Sequence, residues 1–499
     1  LSLIAVNASS RPKLRVLFIT SEIFPLCKTG GLGDVSAALP AALHDLNIDV
    51  RILLPGYPSV LSGLETKRKL AEFNLPPHFP ATTLIASRLQ VNANAHIPVY
   101  LIDCPELYQR AGGPYSDSTG EDWPDNALRF GLLSKIGALL ASDASPLTWI
   151  PELVHCNDWQ SGLTPAYLHF HDGKKAASLM TLHNLAFQGC FPPVEVNRLG
   201  LPPESLSMHG LEYYGNMSFL KAGIFYADHI TTVSPSYAEE IQHATLGFGM
   251  QGLLSERRNN LSGILNGIDT AVWNPQTDPY ICKNYSIRTL AAKSANKLAL
   301  QQSLGLEANI SIPLFAAISR ISHQKGYDLL LQIAPMLEKW SAQLVVLGSG
   351  DTALENQLIA LQQAFSNNIA VRIGYHEPLS HQIEAGADCF LMPSRFEPCG
   401  LNQMYSQRYG TLPLVHATGG LQDTVVDTTT KTIANETASG FVFDVMTPQS
   451  FLAAIERALT TYTNRRLWRS LQRNAMHQDF SWKKSALAYR LIYQKITSN

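Results

Sequence analysis

Short apolar runs alternate with segments of helical periodicity along most of this chain. Residues 14–20 predict a buried parallel strand and residues 35–46 an amphipathic helix. Between them stands Lys28-Thr29-Gly30-Gly31-Leu32-Gly33-Asp34, so the order is strand, glycine turn, helix. Strand-like runs follow at 49–54 and 97–102, and helical periodicity returns at 126–141. Residues 152–156 then lead through the turn Asn157-Asp158-Trp159 into a helix over 161–169. The run 178–182 is the next strand and ends in His183-Asn184. From 187 to 216 the periodicity fades and Pro, Gly and aromatic residues cluster, which predicts a long, mobile surface excursion over the mouth of a site. A helix at 221–227, a strand at 228–233 and a last strand-like run at 263–269 complete this half, while 250–260 carry no clear signal. Residues 273–279, with two prolines, break all regular structure and mark a domain boundary.

The second half is more regular. Strands are predicted at 313–319, 344–347, 369–373, 389–392 and 412–415, and helices at 326–340, 353–365, 379–385 and 401–409. Thr447-Pro448 reads as a helix cap with proline in the first turn, and the chain beyond is helical with a break near 478–480. Such alternation predicts two α/β domains with mainly parallel sheets, residues 11–265 and 280–478, the second of them doubly wound.

Candidate chemistry collects at the predicted strand ends, where open parallel sheets bind ligands. Glu22, Asp158 and His183-Asn184 stand there in the first half, each of them also explicable as a helix cap or a satisfied core histidine. A glycine turn between strand and helix presents free amides to an anion, with Lys28 adding a mobile cation. The same pattern recurs as Thr418-Gly419-Gly420-Leu421-Gln422-Asp423, again after an apolar run. The pair points to a phosphate-bearing substrate held between two similar domains, with a tight turn for close helix packing as the alternative for each. Arg320 and Lys325, across another strand-to-helix turn, suit a diphosphate that leaves without a metal. Glu397 lies just before a helix and suits either capping or the hydroxyls of a sugar. The sequence holds no DxD pair, HExxH or close His/Cys cluster, so no metal site is expected.

Composition narrows the class of partner. A net charge of -2 over 499 residues, with 16% charged, offers no broad attraction for nucleic acid or anionic lipid. The seven cysteines are scattered without a CxxC pair, which suits free thiols in a reducing compartment. No apolar run reaches the roughly 18 residues of a membrane span, and residues 1–10 lack the pattern of a signal peptide and an initiating Met. The expectation is a cytoplasmic protein without nucleic-acid or membrane partners.

Taken together, KTGGLGD at 28–34, HCNDW at 155–159, TLHNLAFQG at 181–189, KAGIFYADHITTVSPSYAEEI at 221–241, NGID at 266–269, SRISHQKG at 319–326, SRFEPCGLNQ at 394–403 and YGTLPLVHATGGLQDTV at 409–425 resemble bacterial glycogen synthases and the related plant starch synthases. The similarity runs from about residue 14 to the C-terminus. It implies a GT-B glycosyltransferase architecture, two Rossmann-like domains facing a deep cleft, with the last helix, 481–499, returning to the first domain. It implies a retaining transfer of glucose from ADP-glucose to the non-reducing end of an α-1,4-glucan, without cofactor or metal. Carried over residue by residue, Arg320 and Lys325 bind and stabilise the diphosphate, His183 meets the transferred glucose, Glu397 holds its hydroxyls and Asp158 sits near the reaction centre. Lys28, Gly30, Gly31 and Asp34 belong to the diphosphate and acceptor edge, with Asn184 and Asn266 as further contacts. Tyr375 is expected against the adenine, Cys399, Gly400, Leu401 and Asn402 along the donor pocket and its phosphate end, and Thr418, Gly419 and Gly420 among the substrate-binding residues. Two positions depart from the family pattern: Gly33, where many bacterial members carry Ala, and Asn402, which is Thr in some members, so UDP-glucose remains the alternative donor. No transit or carbohydrate-binding extension is expected, which favours the bacterial type. A degenerate glucan-binding relative would have lost some of these residues, and a phosphorylase would need a cofactor lysine and a longer chain. Oligomeric state is not set by the sequence.

Overall fold

A computed structural model describes residues 13–75, 79–92 and 95–498. The expectations for residues 1–10 and for a domain starting at 11 fall outside them. Contacts divide the chain into two units. The first holds the described residues up to Val233, then Ile241–Ile264 and the chain from Trp482 on; the second holds Ser234–Glu240 and Leu265–Ser481. Residues 266–279, left between the expected domains, therefore count with the second unit, as does the short segment Ser234–Glu240.

The first unit is built on a nine-stranded sheet. Its order is Leu261–Gly263, His229–Thr232, Ala177–Leu182, Leu153–Asn157, Arg15–Ile19, Asp49–Pro55, Ala95–Asp103, Thr82–Asn92 and Arg68–Phe73. The first seven strands are parallel and the last two are joined antiparallel at the edge. The parallel strands are covered on both faces, so Val16, Leu17, Phe18 and Ile19 are fully buried and read as a continuous apolar run. These two antiparallel strands mix Arg, Lys, Glu, Thr and Ser with apolar residues and gave no such signal. Helix Asn126–Leu140 is buried around most of its circumference, Arg129 included. The Arg129 guanidinium donates to the Leu107 and Pro114 carbonyls at 2.9 and 2.8 Å and to Asn126 Oδ1 at 2.7 Å, which fixes the loop before Tyr115. The stretch read as irregular holds a small antiparallel sheet, Cys190–Phe191, Asn216–Ser218 and Glu212–Tyr213. Helix Trp482–Thr497 belongs to this unit and packs Tyr489 and Tyr493 around the buried His155.

The second unit carries six parallel strands in the order Ile369–Ile373, Gln343–Gly348, Leu314–Ile318, Cys389–Met392, Leu412–His416 and Phe441–Phe443. This is the doubly wound order 3-2-1-4-5-6. The helix expected over 326–340 is two, Tyr327–Ile333 and Pro335–Lys339, because a proline has no N–H to continue the first. Thr447 caps helix Pro448–Thr463, its hydroxyl accepting from the Ser450 amide. The strand expected over 263–269 is shorter and earlier, Leu261–Gly263.

His155 shows how tightly the first unit is specified. Its Nδ1 meets the Tyr493 hydroxyl at 2.7 Å and its Nε2 the Thr181 hydroxyl at 2.6 Å, and burial holds the ring well below its usual pKa. Tyr493→Phe leaves one ring nitrogen buried without a partner, a cost of about 1–3 kcal/mol. A fall of several degrees in the unfolding temperature is expected by calorimetry; an unchanged value would contradict this account of the helix.

Candidate active site

In the first unit the connections diverge at strand Arg15–Ile19, which has Asp49–Pro55 on one side and Leu153–Asn157 on the other. The polar residues at three neighbouring strand ends are thereby set side by side. Glu22 is 3% exposed and is fully engaged. Its Oε1 accepts from the Tyr115 hydroxyl at 2.5 Å, and its Oε2 from the Thr29 and Gly30 amides at 2.6 and 3.2 Å. The amides expected to meet phosphate are thus held by a protein carboxylate. Lys28 is likewise engaged, its Nζ 2.8 Å from Asp34 Oδ1. What stays open is space: a Cβ added at Gly30 would meet no atom within 4 Å.

Asp158, with a positive φ of 52°, turns its carboxylate back onto the next strand end. Its Oδ1 accepts from the His183 amide at 2.7 Å and the Asn184 amide at 3.4 Å. Burial pushes the Asp158 carboxyl up to about 7 against those two amides, and the charge of Glu22 adds to the rise. His183 Nε2 lies 3.0 Å from Asn157 Oδ1, and burial takes its ring down to about 3, so the imidazole is neutral.

In the second unit the divergence falls between Leu314–Ile318 and Cys389–Met392. The turn after the first strand carries Arg320 and Lys325, and the turn after the second carries Glu397. They are drawn together by Gly326, whose φ is 74° and whose Cβ would stand 1.9 Å from the Pro393 carbonyl, so only glycine fits. The Arg395 amide donates to the Gln324 carbonyl at 2.8 Å, and its guanidinium forms a two-pronged pair with Asp328 at 2.7 Å. Glu397 Oε2 accepts from Lys325 Nζ and, at 3.0 Å, from the Ser394 hydroxyl. Glu397 therefore does not cap helix Asn402–Arg408, whose cap residue, Leu401, makes no side-chain bond. Arg320 is exposed, with no partner for its guanidinium among the described residues.

The second glycine turn is shaped by packing. Gly419 has φ 44°, its Cβ would lie 2.1 Å from the Glu397 carbonyl, and that of Gly420 would lie 2.1 Å from the Cys399 carbonyl. The Gly419 amide donates to Glu240 Oε1 at 2.8 Å, and Thr418 Oγ1 lies 3.2 Å from the same oxygen. Close approach, the alternative raised for this turn, is what the structure shows here, and again a carboxylate holds the amide. The Asn402 side-chain Nδ2 donates to the Ile318 carbonyl at 2.5 Å, tying its helix to the strand that precedes Arg320. Cys399 is buried, with its thiol pushed up to about 12 by burial, and is an inert packing group. Gly400 has φ 71°, and Asn266 Oδ1 is buried with no hydrogen-bond partner among the described residues. Tyr375 stands apart, 73% exposed beyond an edge strand with its hydroxyl on Glu377. Sequence reasoning missed Asn157, Tyr115 and Glu240 as members of these clusters. Asn157 was legible only as part of a turn, and nothing in the pattern marked the other two.

Comparison with known proteins follows the same division. Residues 15–256 match the starch synthase catalytic domain and residues 307–475 the glycosyl transferases group 1 family. The glycogen synthase of Nitrosomonas europaea is 70% identical over 487 residues, covering 98% of either chain. That of Nitrosospira multiformis is 62% identical over 486 residues, covering 97% of this chain and 98% of its own. Among solved structures, the catalytic domain of starch synthase IV from Arabidopsis thaliana bound to ADP and acarbose aligns with a TM-score of 0.87 and 32% identity, over 98% of this chain and all of that one. Sucrose-phosphate synthase from Thermosynechococcus elongatus, at 18% identity and a TM-score of 0.58, shares the fold.

The raised pKa of Asp158 has a stability consequence of definite sign. Between about pH 4 and 7 the folded protein keeps a proton there that the unfolded chain releases, so this group's contribution falls as pH rises through that window. Asp158→Asn removes that component. Denaturant unfolding at pH 5 and pH 8 should show the variant losing less stability than the parent on going to pH 8; an equal loss would contradict it.

Proposed function

We propose, from the premise that this chain belongs to the bacterial glycogen synthases and their plant starch synthase relatives, that its donor is ADP-glucose and that transfer proceeds with retention on one face of the sugar. The chain is a glucosyltransferase of glycogen biosynthesis with two α/β domains of GT-B type, taking a nucleotide-sugar donor and a glucan acceptor. The observation that carries the finer reading is that Arg320, whose guanidinium has no partner among the described residues, and Lys325 follow the same strand at the second unit's point of divergence. The ADP in the Arabidopsis enzyme's structure supports the adenine nucleotide for this chain too.

In this reading the bond from C1 of glucose to the diphosphate breaks, and ADP leaves with the electron pair. The 4-hydroxyl at the non-reducing end of an α-1,4-glucan forms the new bond on the same face, and its proton passes to the departing phosphate oxygen. Double displacement would need a free carboxylate beneath C1, whereas Glu397 is tied to Lys325 and Ser394 and Asp158 to two amides. Arg320 and Lys325 supply the charge that stabilises the leaving diphosphate, and the rest of the site positions. His183 and Glu397 hold the glucose, Asp158 borders the reaction centre, and Asn184 and Asn266 add contacts. The open face at Gly30, with Gly31, Lys28 and Asp34 beside it, admits the diphosphate and acceptor edge. Tyr375 lies along the adenine, and Cys399 to Asn402 with Thr418 to Gly420 frame the donor. Seven free thiols suit a cytoplasmic site of action; no helix of the described residues is long and apolar enough to cross a membrane.

The test is glucose incorporation into glycogen from ADP-glucose and UDP-glucose in parallel, with EDTA present. Incorporation from ADP-glucose that survives EDTA is expected, and Glu397→Ala should lower it by about a hundredfold or more. Preference for UDP-glucose would overturn the donor, and loss with EDTA would overturn the role given to the two cations.

A further inference from the structure

We propose that Asn157 is a positioning residue that fixes His183 in its Nε2–H tautomer and so presents Nδ1 as a hydrogen-bond acceptor to a hydroxyl of the transferred glucose. The inference rests on the reading of His183 as a glucose contact and deepens it.

Asn157 is the last residue of strand Leu153–Asn157 and is fully buried. Its backbone amide donates to Ser161 Oγ at 2.6 Å, and its side-chain Nδ2 donates to the Ile19 carbonyl at 2.9 Å and the His155 carbonyl at 3.4 Å. Two carbonyls on one side can be met only by the NH2 end of the amide, which sets its orientation. The Oδ1 end then faces His183 Nε2 at 3.0 Å. An amide oxygen carries no hydrogen, so the hydrogen of that bond must sit on Nε2. The ring is neutral, and a neutral imidazole has one N–H only. Nδ1 is therefore a lone pair. It has no protein partner among the described residues and is not one of the buried atoms left without a partner. The main chain of the same residue is held by Asp158, so adjacent residues of one turn clamp the backbone and the ring of His183.

The chemistry that follows is selective. An acceptor nitrogen binds a hydroxyl that donates, and it does not bind a fluorine or an ether at that position. Asn157 reaches the substrate only through His183, so removing it costs only what a freely turning, mixed-tautomer ring loses.

The test combines a kinetic cycle with a direct view of the ring. Asn157→Ala and His183→Ala should each lower kcat/KM for ADP-glucose by about tenfold or more, and the double variant should be no worse than the weaker single, because the two act as one unit. In protein labelled with nitrogen-15 histidine, the resonances lost in His183→Ala should show a protonated Nε2 and a bare Nδ1, unchanged from pH 6 to 8. In Asn157→Ala the pair should move toward tautomer averaging. Additive losses in the cycle, or a protonated Nδ1 in the unaltered protein, would overturn the proposal whether or not the variants fold well. Full activity in His183→Ala would instead overturn the underlying reading of His183 as a glucose contact, and the proposal with it.

Discussion

A parallel sheet whose connections leave two neighbouring strands in opposite directions cannot cover the ends of those strands with its own helices. Both units of this chain are built around such a point. In the first it lies beside Arg15–Ile19 and Leu153–Asn157, and in the second beside Leu314–Ile318 and Cys389–Met392. Apart from Tyr375 and Asn266, the groups given a chemical role stand at the end of one of these strands or of an adjacent one, in the turn that follows it or in the first turns of the next helix. Exposed turns at these places must satisfy their own backbone, and the way they do so decides which groups remain for a substrate.

Here the amides are largely satisfied by carboxylates. Glu22 holds Thr29 and Gly30, Asp158 holds His183 and Asn184, and Glu240 holds Gly419. Where the carboxylate is ionised such bonds are stronger than neutral ones, and all of them keep the turns in one shape before any ligand arrives. The two cations differ in what they can give up. Lys325 is mostly buried and needs Glu397, because an unpaired buried charge costs several kcal/mol. Arg320 is exposed, pays little for standing alone, and can turn to an incoming diphosphate without breaking a bond.

Much of this was legible in the sequence because buried parallel strands are continuous apolar runs. Ile369–Ile373 and Cys389–Met392 fall where the pattern placed them, and most other predicted strands agree to within a few residues. The antiparallel strands Arg68–Phe73 and Thr82–Asn92 were not legible, since one partly exposed face removes the run, and Phe441–Phe443 is too short to register. The glycine turns were found from their residues, but not their partners: Glu22 lies seven positions from Thr29 while Glu240 lies 179 from Gly419, and only the fold brings the latter together. Asn157 was hidden for another reason. Its importance lies in the direction of one amide, which depends on carbonyls of two strands.

In the function proposed above, Arg320 and Lys325 act on the diphosphate as it leaves more than as it binds. Single-turnover transfer from ADP-glucose by Arg320→Ala and Lys325→Ala, set beside the equilibrium affinity of each for ADP-glucose, tests it most directly. A chemical step slowed by about a hundredfold or more, with affinity changed by less than about tenfold, is expected. A large loss of affinity with the chemical step intact would contradict it.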